Sequence, residues 1–191
     1  MASKKLNVPY ITQNDASVPE GWTDRSCAIV CLKMCMDFHG SKHSFLMPKI
    51  SDLIKEGLAM LGDQYKPGKG WKHDALVWLA HNHGVPAYKE EFRSDLINTE
   101  TKEFEPSIFS EELRDEGVRR IKESLDKEIP VVVSFLPGFG SVSNFHLAVV
   151  IGYDEKGFIV HDPSDSSPKE SHSISKEDFL KFWRKYAIFV G

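Results

Sequence analysis

Residues 146–163 read HLAVVIGYDEKGFIVHDP: two β-branched runs around a short turn, with a histidine opening the first and an aspartate closing the second. "HLAVVIGY" (146–153) and "FIVHD" (158–162) have the composition of buried strands, and "DEKG" (154–157) ends on the glycine that a tight turn favours. The stretch predicts an antiparallel hairpin with an imidazole at one strand end and a carboxylate at the other. Positions 146 and 162 are an even number apart, so their side chains share a face only in an even register, which needs an odd loop or a bulge. In that register Asp162 is expected to accept the Nδ1 proton of His146 and leave Nε2 for a third partner. His161 is expected to face the other way.

Outward from the hairpin, "VVVSF" (131–135) and the closing "AIFV" (187–190) read as further strands, and Ser175 with Asp178 three residues on reads as a helix start of capping-box type. Earlier, residues 27–39 carry apolar residues at helical spacing before Gly40, and 50–61 and 71–83 repeat the pattern before Gly62 and Gly84. A strand is expected at 86–92 and a polar helix over about 110–127, while 94–106 has no readable pattern. The segments 138–144 and 162–173 read as loops. Helices first and strands last make an α+β arrangement. One domain is expected over 1–191, with a helical part over about 20–128 and a sheet part over about 129–191.

All three cysteines lie in "SCAIVCLKMCMDFHG" (26–40), as Cys27, Cys31 and Cys35. On a helix they form one stripe about 12 Å long, too extended to converge on a single metal ion. Helical i,i+4 positions also aim their Cβ atoms poorly for a disulfide. Cys31 and Cys35 are expected in the core, where free cysteine packs as a small hydrophobe. Cys27 stands at the helix start, where free N–H groups and the helix dipole favour a thiolate. It is either a nucleophile or simply the first member of the core stripe.

A thiolate acting on an acyl group needs an imidazole, a residue to hold that imidazole and a donor for the oxyanion. Of eight histidines, His39, His43, His73, His81, His83 and His172 read as surface or helix-end residues, and His146 alone opens an apolar strand after a Gly/Ser loop. Gln13 has a side-chain amide that could serve as the donor if the turn over 14–26 folds it back beside Cys27. Taken alone it is an ordinary loop glutamine.

The formal charge of −4, with acidic and basic residues interspersed, gives no footprint for nucleic acid or an anionic membrane. Neither partner is expected, nor any metal or other cofactor. The sequence shows no signal-peptide run or membrane-spanning window, and three clustered cysteines are no disulfide framework, so a cytoplasmic location is expected.

Taken in order, "VPYITQ" (8–13), "SCAIVCLKMCMDFHG", "HLAVVIGYDEKGFIVHDP" and "SKEDFLKFW" (175–183) resemble the papain-like cysteine peptidases. Within these, the chain is similar to the bacteriocin-processing (double-glycine leader) peptidases in their stand-alone form. The resemblance implies a papain-like fold with the nucleophile helix packed on a C-terminal antiparallel sheet. It implies Cys27 as nucleophile, His146 as base, Asp162 as orienting residue and Gln13 as oxyanion donor. The expected function is hydrolysis of amide bonds in a peptide or protein through a thioester. Acyl transfer, deamidation, isopeptide cleavage or a non-catalytic binding module on the same fold are the alternatives.

Overall fold

The structure is a computed structural model and describes residues 3–97, 104–136, 138–139, 145–164 and 171–191. In chain order come β1 (Lys4–Lys5), a single 3-10 turn (Thr23–Arg25), α1 (Cys27–His43) and α2 (Ile50–Ala59). A two-stranded hairpin, β2 (Tyr65–Lys66) and β3 (Gly70–Trp71), leads into α3 (His73–Asn82) and β4 (Ala87–Glu91). A second hairpin, β5 (Asp95–Ile97) and β6 (Phe104–Pro106), falls in the stretch that had no readable pattern, and α4 (Ser110–Asp126) follows it. The chain closes with β7 (Val131–Phe135), β8 (His146–Tyr153), β9 (Gly157–His161), β10 (His172–Ser175), α5 (Lys176–Phe182) and β11 (Trp183–Val190). Most of the expected loop at 138–144 and its counterpart at 162–173 lies outside the described residues. The tail of the second is strand rather than loop, since His172 and Ser173 belong to β10.

The main sheet runs β10-β9-β8-β7-β11-β4, with β1 joining β8 beyond this path, and every pairing in it is antiparallel. The α+β class and the helix-on-sheet packing are as expected, with α1 lying against β8. Two strands from the first half, β1 and β4, also enter the sheet. Gly152 lets β1 approach, because a Cβ there would collide with the Lys4 carbonyl oxygen.

The sequence reads α1 as a buried helix ended by Gly40, and the structure has the burial but not the stop. Ile29, Val30, Cys31, Leu32, Met34, Cys35 and Met36 are all fully buried, so the helix is enclosed on most of its circumference, between α2, α3 and the sheet. Gly40 sits inside the helix, where a Cβ would come within 2.8 Å of the Phe45 carbonyl oxygen and 3.0 Å of Met47. The glycine serves the chain's close return, and Ser44, with φ of 58°, ends the helix. α5 starts as its sequence predicts: Ser175 Oγ accepts from the Asp178 N–H at 3.0 Å and donates to Asp178 Oδ2 at 2.8 Å.

Candidate active site

The hairpin that carries His146 and Asp162 uses a bulge to bring them to one face. Val149 pairs with His161 and Val150 with Val160, then the register slips so that Gly152 pairs with Ile159 and Tyr153 with Phe158. The extra residue restores the even register at the open end. His161 accordingly turns away, and its Nε2 meets the Val8 carbonyl oxygen at 3.0 Å.

His146 and Asp162 are both buried, and His146 Nε2 lies 2.6 Å from Asp162 Oδ1. This corrects the expected nitrogen. By the hairpin register Asp162 lies across from Ala148, diagonal to His146, and Nε2 is the ring nitrogen that reaches it. Nδ1 is left for the Cys27 thiol, which interacts with the ring from the start of α1.

Ser164 adds two more bonds to the same carboxylate oxygen, from its backbone N–H at 2.8 Å and its hydroxyl at 2.7 Å. Sequence reasoning passed over Ser164, although Asp-Pro-Ser is a pattern in which the aspartate bonds the backbone two residues on. Burial pushes the Asp162 carboxyl up, but the bonds from His146 and Ser164 outweigh it and hold the group below its ordinary value. For His146, burial pulls the pKa down, while Asp162 and Cys27 push it up, and the net value is about 9. The imidazole is therefore protonated at neutral pH, in contact with a carboxylate on one side and a thiol on the other.

The three cysteines separate by position. Cys31 and Cys35 are fully buried and their thiols are pushed up by that burial; Cys31 donates to the Leu147 carbonyl oxygen at 3.3 Å. Cys27 is partly exposed, and all three are free thiols. The core role expected for Cys31 and Cys35 is what the structure has.

Gln13 reaches this neighbourhood through a clamp on the residue after Asp162. Its backbone N–H donates to the Pro163 carbonyl oxygen at 2.7 Å, as does the Thr12 hydroxyl at 3.1 Å, and the Tyr10 hydroxyl donates to the Asp162 carbonyl oxygen at 2.9 Å. The Gln13 side-chain carbonyl oxygen is buried without a hydrogen-bond partner among the described residues. The other histidines make structural contacts, such as His83 with Glu56 at 2.7 Å and His81 Nε2 with the Ala87 carbonyl oxygen at 2.7 Å. Among the described residues no group of three or more His, Cys, Asp or Glu side chains could hold a metal ion, and no helix is long and apolar enough to cross a membrane.

Residues 5–188 match the model of the Peptidase_C39 like family, and the chain belongs to that family. Among solved structures it is similar to a protein from Bacillus anthracis described as a C39-like peptidase, with a TM-score of 0.63 and 18% identity, covering 100% of this chain and 98% of that one. It is also similar to the double-glycine-motif protease of an AMS/PCAT transporter in complex with its leader peptide, with a TM-score of 0.56, 15% identity and coverage of 100% and 98%. The peptidase domain of Streptococcus ComA, a bifunctional ABC transporter of a quorum-sensing pathway, gives a TM-score of 0.56, 18% identity and coverage of 97% and 98%. These likenesses establish the fold. No curated protein sequence matches the chain.

Proposed function

We propose that this C39-like chain is a cysteine peptidase in which Cys27 attacks the carbonyl of a peptide bond. The observation that carries the reading is the buried 2.6 Å pairing of His146 with Asp162, made through Nε2, on a ring that also interacts with Cys27. Membership of the family supports peptide-bond chemistry, and the leader peptide bound by the transporter protease supports a peptide substrate.

In this reading the protonated His146 stabilises the Cys27 thiolate, and Asp162 stays ionised to hold the ring in place. Sulfur adds to the carbonyl carbon, and the negative charge moves to the oxygen. The Gln13 side-chain amide and the Cys27 backbone N–H, at the start of α1, receive that charge. His146 gives its Nδ1 proton to the leaving amine as the C–N bond breaks, which leaves a thioester. Neutral His146 then takes a proton from water, the resulting hydroxide adds, and the thiolate departs to regenerate the ion pair.

The test is alkylation with iodoacetamide at mildly acidic pH, read by intact mass and peptide mapping. One fast adduct at Cys27, slowed strongly in His146→Ala, is expected. Slow and equal alkylation of all three cysteines would overturn the reading. Incubation with a peptide mixture should then give cleavage products that are absent with Cys27→Ala.

A further inference from the structure

The sheet end that bears His146 also bears a cation with no ion-pair partner among the described residues. Phe135 pairs with His146 on one side and with Trp183 on the other, so Arg184 lies beside the same end of the sheet. Its guanidinium is half-buried and packs over the Phe145 ring at 4.3 Å and the Tyr186 ring at 5.7 Å. Nη1 donates to the Ser134 hydroxyl at 3.1 Å. Burial holds the group below its ordinary value; Arg93 acts in the same direction, while Tyr186 and Glu91 oppose it without cancelling it.

The nearby carboxylates make their ion pairs with other cations: Glu91, whose charge is felt by Arg184, pairs with Arg93, and Asp74 pairs with Lys89 at 2.8 Å. Among the described residues none forms an ion pair with Arg184. A guanidinium presents five N–H donors in a rigid fork, and one hydroxyl occupies a single donor. Partial desolvation of a charge without a partner is costly, and such a group beside a reactive centre is a candidate for ligand recognition. Phe145, which carries the stacking ring, is exposed and directly precedes His146. Two stacked rings and a hydroxyl fix the plane of the fork before any ligand arrives.

We propose that Arg184 recognises a carboxylate of the peptide that Cys27 attacks, an Asp or Glu side chain near the scissile bond. The planar fork matches a carboxylate bidentately. The inference rests on the peptidase reading above.

The test is a peptide library incubated with the wild type, Arg184→Gln and Arg184→Glu, with cleavage sites read by mass spectrometry. In parallel, the peptides retained by Cys27→Ala and by Cys27→Ala/Arg184→Gln are sequenced. The wild type should favour Asp or Glu over Asn or Gln at one position near the bond by about tenfold or more, as a charge-assisted bidentate pair implies. Arg184→Gln should bring the ratio close to one, and Arg184→Glu should turn it toward Lys or Arg. Each ratio is internal to its variant, so a general loss of activity cancels. An acidic preference that is absent in the wild type, or that survives in Arg184→Gln, overturns the proposal. If nothing is cleaved the peptidase reading fails, while the retained pools still report on Arg184: acidic enrichment lost with Arg184→Gln supports it, and unchanged pools overturn it.

Discussion

His146 Nε2 and Asp162 Oδ1 approach to 2.6 Å inside the protein, and that contact holds the imidazole proton against a burial that would release it. The folded pKa, about 9, is raised, so the imidazolium is present below that pH and lost above it. Activity that depends on the charged pair should therefore fall as pH rises through about 9. In Asp162→Asn the opposing charge is gone while the burial stays, so the alkaline limb should move down by about one to three units. A profile of kcat/KM against pH for the two proteins checks this; coincident alkaline limbs would count against the assignment.

Gln13→Ala should lower kcat by about a hundredfold to a thousandfold, the usual cost of removing one oxyanion donor. KM should change little, because the oxyanion exists only after attack. Alkylation of Cys27 by iodoacetamide forms no oxyanion and should proceed at close to the wild-type rate. Parallel loss of both would mean instead that the clamp on Pro163 had been disturbed.

Cys35→Ser should be less stable than Cys35→Ala, because a fully buried hydroxyl without a partner costs about 1–3 kcal/mol. Cys31→Ser should be milder, since its hydroxyl can keep a bond to the Leu147 carbonyl oxygen. Urea unfolding midpoints rank the three. All should retain the single fast alkylation at Cys27.

Gly117→Ala sets helix propensity against packing. Propensity alone favours alanine by about 1 kcal/mol within α4. The new Cβ would stand 2.5 Å from the Trp183 ring and 2.6 Å from the Phe92 ring, and relieving such overpacking costs about 1–3 kcal/mol or more. Packing should win, and the variant should unfold at lower urea than the wild type.

What could be read from the chain was local. The Cys27 helix start, the His146–Asp162 hairpin with its bulge, and the Ser175 cap depend on residues close in sequence, and each left a pattern. Misread or unseen features depend on distant partners. Gly40 reads as a helix stop because the close approach of Phe45 and Met47 leaves no trace in periodicity. The contacts that place Gln13 join Tyr10 and Thr12 to Asp162 and Pro163 across the length of the chain, and no spacing rule spans that interval. Arg184 escaped notice because its meaning lies in what surrounds it, with two rings and no ion-pair partner among the described residues.

The clamp also sets an order of events during synthesis. A ribosome releases Gln13 and Cys27 well before the histidine, the aspartate and the proline that anchors Gln13. The contact between Tyr10 and Asp162, separated by 152 residues, must wait for all of the chain between them. Until then Cys27 stands without the imidazole and carboxylate that the proposed mechanism gives it.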